Sequence, residues 1–391
     1  VKVGEIVGNG LDKTRRHVVL RELRLKPGDR YRRSQLAETQ TAIFSTGLFR
    51  NVTVSPAPGN RQDSIRALVV TVRERAAGSL DLGVGYGSSE RLRAGLALAQ
   101  TNWLGRSLRV GANVRASRLL RTAEGVFTVP YVLGRHVALD GRLFQQWERN
   151  PEAAFRTRKT GTAETFSYQW QNSWVSEVSY TLERVRLRLD AEERYQPAQT
   201  SSSLSLALRR DSRDNPLDSR MGSMLRLRAD VAGGPLGGAS DFNRSTVELL
   251  HFRPVWFAIA AIHAQASGID ASGANGRVAT YDQFFLGGDR SVRGYGRGEI
   301  GADRVGELAF NMQLELRLPV FSHGLVLFHD AGQVWTEAAD VDLPGDLRGA
   351  HGAGLRYDSR FGMLRLDVAL AQRQASTSQR LGVYFGVGQA F

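Results

Sequence analysis

The sequence predicts a mainly β protein, a transmembrane antiparallel β-barrel of about sixteen strands preceded by one small α+β domain. Three observations predict it. From residue 79 onward, apolar and polar residues alternate with a period of two. The alternating stretches are often 9–13 residues long, the length that a tilted strand needs to cross a bilayer. The longest strongly apolar run, Val255–Ala264, is interrupted by His263 and falls short of the roughly 20 residues of a spanning helix. A membrane role therefore has to come through strands.

The alternation is explicit in several places. In Glu307–Pro319, Leu308, Phe310, Met312, Leu314, Leu316 and Leu318 share one face, opposite Glu307, Asn311, Gln313, Glu315 and Arg317. In Met363–Ala371, Leu364, Leu366, Val368 and Leu370 oppose Arg365 and Asp367. The stretches around Val110, Leu187 and Leu227 set leucines and valines against arginines in the same way. Strand centres fall near Leu82, Leu96, Val110, Val126, Leu139, Thr165, Leu182, Leu206, Leu227, Leu249, Ile259, Leu314, Leu327, Leu355, Leu366 and Phe385. A sheet in hydrocarbon must close, because an open edge leaves backbone N–H and C=O groups unpaired. The polar face then lines the lumen. Trp103, Trp147, Trp174 and Trp335 stand near strand ends and fit an aromatic girdle, with ordinary strand packing the equal alternative for any one of them.

Composition agrees. The net charge is +13, which first suggests nucleic acid. The arginines, however, alternate with apolar residues through the chain instead of forming a patch, so no nucleic-acid partner is read. There are 42 glycines, 11 prolines and no cysteine. This suits tight turns and excludes a disulfide framework or thiolate metal site. No cofactor or metal is expected. The chain starts at Val1 without an initiator Met, which is read as a processed or truncated start.

Residues 1–75 form a different object. Val1–Val7 reads as a strand, Asn9-Gly10 as a turn and Lys13–Glu22 as a helix stopped by Lys26-Pro27-Gly28-Asp29. Ser34 is the expected N-cap of a second helix that carries Leu36, Ile43 and Phe44 on one side and ends at Gly47. Two strands follow, Asn51–Ser55 and Ile65–Arg73, the latter with Leu68, Val70 and Val72 on one face. The blocks Leu25-Lys26-Pro27-Gly28-Asp29 and Thr46-Gly47-Leu48-Phe49-Arg50-Asn51-Val52 resemble a POTRA domain, a periplasmic polypeptide-binding module.

The longest connection, 268–304, contains Phe284-Phe285-Leu286-Gly287-Gly288-Asp289-Arg290-Ser291-Val292-Arg293-Gly294-Tyr295. A phosphate cradle would need a helix start and a terminal Lys-Ser/Thr, and neither follows. The block instead resembles the loop signature of the BamA/TamA-like outer-membrane assembly-factor superfamily, in wording that leans toward the TamA-like members. Four further blocks resemble the same family: Asp211-Ser212-Arg213-Asp214-Asn215-Pro216, Glu315-Leu316-Arg317-Leu318-Pro319, Phe328-His329-Asp330-Ala331-Gly332-Gln333-Val334-Trp335 and Phe361-Gly362-Met363-Leu364-Arg365-Leu366-Asp367. So does a last strand ending in Phe391.

The resemblance implies a bacterial outer-membrane barrel over 76–391 with its loop folded into the lumen and 1–75 in the periplasm. It implies unfolded outer-membrane protein clients, contact with outer-membrane lipids, and a possible periplasmic or inner-membrane partner reached through the first domain. It also implies a weak seam between the first and last strands, Leu80–Gly87 and Leu381–Phe391. Gly382, Gly386 and Gly388 would weaken the latter.

Gly287, Gly288, Val292, Arg293, Gly294 and Tyr295 are then the elements of a lumenal latch. A buried guanidinium needs a carboxylate, and Asp330 and Asp367 are the expected partners. Asp367 points inward by alternation, whereas both faces around Asp330 are apolar. The main reading is an assembly factor; the alternative is a two-partner-type secretion pore. A barrel hydrolase could combine His251, His263 or His329 with a serine, but nothing in the sequence assembles a triad, so no enzyme is expected.

Overall fold

The computed structural model describes residues 1–58, 64–88, 90–132, 136–151, 154–170, 173–272, 278–301, 305–320, 323–343, 345–360, 362–372 and 381–387. The chain forms two compact units, one of residues 1–81 with 97–113 and 125–141, the other of 82–96, 114–124 and 142–391.

The first 75 residues fold as β1 (Lys2–Asn9), α1 (Arg16–Leu20), α2 (Arg33–Ser45), β2 (Phe49–Pro56) and β3 (Ile65–Glu74). β3 lies in the middle of the sheet, parallel to β1 and antiparallel to β2. Its alternation puts Leu68, Val70 and Val72 into a core with Val18, Val19, Leu25, Ile43 and Phe49. Each such large side chain contributes about 1.5–3 kcal/mol through burial.

Three local expectations are corrected. The first helix is only five residues long. The Glu74 carboxylate accepts the Thr14 N–H at 2.7 Å and the Lys13 N–H at 3.1 Å, which holds residues 13 and 14 outside the helix. Ser34 lies inside α2, whose N-cap is Arg32 with no side-chain cap. Phe44 is 49% exposed, because it stands about 100° around the helix from buried Ile43.

Sixteen strands follow: β4 (Gly78–Gly87), β5 (Arg91–Trp103), β6 (Leu108–Ala116), β7 (Leu120–Val129), β8 (Val137–Asn150), β9 (Phe155–Gln169), β10 (Trp174–Leu189), β11 (Gln199–Asp211), β12 (Gly222–Ala232), β13 (Phe242–Val255), β14 (Ala258–Ala271), β15 (Leu308–Val320), β16 (His323–Trp335), β17 (Arg348–Ser359), β18 (Gly362–Ala371) and β19 (Leu381–Val387). They form one sheet in strict sequence order from β4 to β19, a nearly closed antiparallel barrel. Every expected strand centre falls within one of these strands. Gly268 is not part of the long loop. It continues β14, opposite Ser245 on one side and Leu308 on the other.

The outward face is apolar and exposed, with Leu82, Val84, Leu206, Leu327 and Leu355 on it. That pattern is stable only in a nonpolar solvent. Trp335 is not a girdle residue. It is 7% exposed and donates its indole N–H to Asp346 at 2.9 Å. Trp256 and Phe257, in the β13–β14 turn, are 95% and 74% exposed and fit interfacial anchors better.

The hydrogen bonds to Glu74 generate a prediction for the first domain. Burial pushes the carboxyl up, but the bonds from Thr14, Lys13 and Asp12 outweigh it and hold it below the ordinary carboxylate value. Its stabilising contribution is therefore present above the unfolded-state value and lost as pH falls through the lowered folded value. Glu74→Ala is expected to cost about 1–3 kcal/mol at neutral pH, read as denaturant-dependent proteolysis within residues 1–75. The difference from wild type should shrink in acid.

Candidate functional site

Between β14 and β15 the chain turns back onto the polar face of the barrel wall. Phe284 pairs with Gly306 through two backbone hydrogen bonds, 2.8 and 3.0 Å, closing the base of the loop. Arg244 on β13 donates to the Asp282 carbonyl at 2.8 Å. Beyond this base, Leu286, Val292, Tyr295 and Ile300 pack with Ala350 and Ala371.

Arg293 is fully buried in the barrel interior. Its guanidinium grips Asp330 of β16 with two parallel bonds, Nε to Oδ2 at 2.7 Å and Nη2 to Oδ1 at 2.8 Å. Nη1 bridges Glu315 of β15 and Asp367 of β18, both at 3.0 Å. The Arg293 backbone N–H also donates to Asp330, and its Cζ lies 3.4 Å from the centre of the Phe328 ring. An arginine side chain keeps its proton in proteins, and here it faces the carboxylates of Asp330, Glu315 and Asp367. It is therefore a permanent cation.

Both expected partners, Asp330 and Asp367, thus stand against Arg293. Glu315 is a third that was not named as one, although alternation already placed it on the same face as Gln313 and Arg317. The network extends outward: Arg317 donates to Glu315 at 2.9 Å, and Arg356 of β17 bonds Asp367. An Arg–carboxylate fork is planar and directional, which suits it to fixing one loop orientation.

The neighbouring motif residues are held by backbone geometry. Gly294 has φ +93°, and a Cβ there would stand 3.0 Å from Ala371 N and 3.2 Å from the Ala350 side chain. Only glycine lets the chain approach the β17–β18 wall so closely. The Gly294 N–H donates to the Tyr384 hydroxyl of β19 at 2.8 Å, and that hydroxyl donates to the Tyr295 carbonyl at 3.1 Å. Gly287 donates to Ser291 Oγ at 2.8 Å and Gly288 to the Tyr295 carbonyl at 3.0 Å, folding the block into a compact turn. Val292 is completely buried.

A model described as the Omp85 superfamily domain matches residues 102–391, more than half of the chain, and one described as a surface antigen variable number repeat, of the POTRA type, matches residues 1–75. The chain belongs to the Omp85 superfamily. It is an outer-membrane protein whose N-terminal domain is periplasmic. It is 24% identical to the outer membrane protein assembly factor BamA of Nitratidesulfovibrio vulgaris over 93% of this chain and 48% of that protein. It is also 24% identical to the outer envelope protein 80 of Arabidopsis thaliana, over 96% of this chain and 54% of that protein. The chain thus spans about half the length of these relatives. Its fold superposes on BamA from Haemophilus ducreyi lacking POTRA domains 1–3 with a TM-score of 0.86 at 19% identity, over 100% of this chain and 84% of that one. CdiB from Acinetobacter baumannii gives 0.66 at 14% identity, covering 99% and 74%.

The two ends of this Omp85 sheet are β4 and β19. β18 and β19 pair over seven consecutive positions, Leu364↔Val387 to Leu370↔Leu381. Among the described residues, the contacts between the first and last strands centre on one point. The Ser88 N–H donates to the Phe385 carbonyl at 3.1 Å, and the Phe385 N–H donates to Ser88 Oγ at 2.8 Å. Tyr86 and Phe385 add a ring contact with centroids 6.4 Å apart. Leu80 is 59% exposed, Gly87 faces the Phe385 carbonyl, and Gly382 and Gly386 lie in β19. Gly388 and Phe391 lie outside the described residues.

The histidines are dispersed. His263 contacts Gln313 and Glu248 at 3.0 and 3.3 Å, and His329 meets His351. His251 meets Ser223 at 2.7 Å on the outward face that carries Val247 and Leu249.

Removing Arg293 leaves Asp330 buried without its fork. Arg293→Ala is expected to cost about 3–5 kcal/mol of barrel stability, read as a lower temperature for loss of the folded band in semi-native electrophoresis. Arg293→Lys should recover less than half of that loss, because a point charge cannot form the bidentate contact. Equal stability of Arg293→Ala and wild type would contradict the geometry.

Proposed function

We propose that this chain is the membrane end of an outer-membrane protein assembly factor. Its clients are unfolded outer-membrane chains, which enter the bilayer through the seam between β4 and β19. The observation that carries the reading is that β4 and β19 stand at the two ends of the sheet, where the described residues meet around Ser88 and Phe385, while β18 and β19 pair over seven consecutive positions. An edge that lacks a full partner offers main-chain donors and acceptors to an incoming strand. Four of the ten β4 residues, Gly78, Gly83, Gly85 and Gly87, are glycines, which further weakens this edge. Relatives named as outer-membrane protein assembly factors support the same reading. The fold also superposes more closely on BamA than on CdiB.

In this reading Arg293 is a structural latch. It holds the loop against β15, β16 and β18 and so stiffens the wall next to the seam. Gly287, Gly288, Val292, Gly294 and Tyr295 shape the turn that delivers it. No step of bond chemistry is assigned to the barrel.

The periplasmic domain receives the extended client. β1 and β2 are its two sheet edges. The free side of β1 is partly occupied: Val3 bonds the carbonyl of Asp29 and accepts from Gly28, both at 2.8 Å. β2 is the more available edge, and its neighbours on the opposite side are the β3 residues Val72, Thr71 and Val70. Residues 1–75 are also the natural contact for a periplasmic or inner-membrane partner.

Two measurements test this. A disulfide between Ser88→Cys and Phe385→Cys should abolish client insertion when oxidised and permit it again after reduction; equal insertion in both states rules out the lateral seam. A photo-cross-linker at exposed Thr53 on β2 should capture unfolded barrel clients, while one at Glu5 on β1 captures fewer. The reverse ranking would move client binding to the other edge.

A further inference from the structure

The latch loop touches more than the wall that holds Arg293. Its two adjacent charged residues, Asp289 and Arg290, reach opposite edges of the seam. Asp289 pairs with Arg365 of β18 at 3.5 Å, where the side chains are 17% and 6% exposed. Arg290 pairs at 3.6 Å with Glu90, in the turn between β4 and β5, where the side chains are 68% and 24% exposed. The β19 edge is held again by the two Tyr384 hydroxyl bonds to Gly294 and Tyr295. The Glu90 carbonyl also accepts from Arg118, in the turn between β6 and β7. A cavity of about 610 Å³ is lined by Gly83, Gly85, Glu90, Arg290, Leu364 and Val387, and so borders the first strand, the loop and the last two strands together.

We infer that Asp289–Tyr295 is a strap across the seam, fixed at the β18–β19 edge by Tyr384 and Arg365 and releasable at the β4–β5 edge through the Arg290–Glu90 pair. The asymmetry follows from exposure. An ion pair as open as Arg290–Glu90 is weak and screened by salt, whereas the Tyr384 bonds to the motif backbone are buried. When the edges part, Arg290–Glu90 separates first and the strap stays with β19. The pair therefore sets how often the seam opens without supplying the force that holds the barrel. This rests on the proposed lateral seam.

The test places spin labels at Leu82 on β4 and Val383 on β19, both outward-facing, in the full chain reconstituted in nanodiscs. The inter-label distance distribution reports the open fraction. Glu90→Arg and Arg290→Glu should each raise that fraction by about two- to five-fold, and the double exchange Glu90→Arg with Arg290→Glu should return it to the wild-type value. Raising the salt concentration should open the wild type and leave Glu90→Gln unchanged. Tyr384→Phe, which keeps the ring and loses both hydroxyl bonds, should open the seam in either charge background. Heat-modifiable electrophoretic mobility shows that each variant is folded, and the Gln variants serve where a charge reversal does not fold. Single variants that match wild type, or a double exchange that does not restore it, overturn the strap. If the Ser88–Phe385 cross-link still blocks insertion in those circumstances, the seam stands and only the strap has failed. A cross-link without effect overturns the seam reading itself.

Discussion

A buried guanidinium governs this structure. Arg293 lies inside the barrel with no access to solvent, and three carboxylates from three different strands close around it. Neither the cation nor the acids could be buried alone, since the cost of stripping water from an unpaired ion exceeds most single packing terms. The charge on the loop and the charges on the wall are therefore mutually required. This explains why a long, glycine-rich connection returns to the interior instead of extending into solvent. It also explains why the wall from β15 to β18 presents Glu315, Asp330, Arg356 and Asp367 on its inner face.

The interior is organised as an alternating charge lattice. Arg317, Arg356 and Arg365 surround the same acids that Arg293 holds. Four cations and three anions share a small volume, and planar guanidinium groups suit such sharing because each can serve two acceptors at once. The outward face carries the complementary solution: leucine, valine and tyrosine side chains on nearly every strand, with Trp256 and Phe257 at a turn.

Stiffness and weakness lie side by side. The wall from β15 to β18 is braced by the Arg293 ion pairs, while among the described residues the first and last strands meet through Ser88, Tyr86 and Phe385. The proposed lateral opening would demand that combination. If the neighbouring strands yielded as readily as the seam, parting the edges would unravel the sheet one strand after another. Tyr384 joins the two regimes, since one hydroxyl on the last strand bonds both backbone groups beside Arg293.

The sequence alone determined the number and position of the sixteen strands, their inward and outward faces, and the loop that carries Arg293. These depend on a period of two and on bilayer thickness, both of which are local signals. It also placed Asp367 inward, because Leu366 and Val368 had to face lipid; Glu315 was legible by the same rule beside Leu314 and Leu316. Other features needed the folded chain. Asp330 is flanked by apolar residues on both faces, so alternation could not orient it, and its place opposite Arg293 comes from the register of β16. That Glu315 and Asp367, more than fifty residues apart in sequence, meet at one guanidinium nitrogen depends on strand stagger across β15 to β18. The short first helix follows from a carboxylate about sixty residues away, and the Tyr384 link from closure at the far end of the sheet. Local periodicity fixes which face a residue takes, but only long-range register decides which residue it meets there.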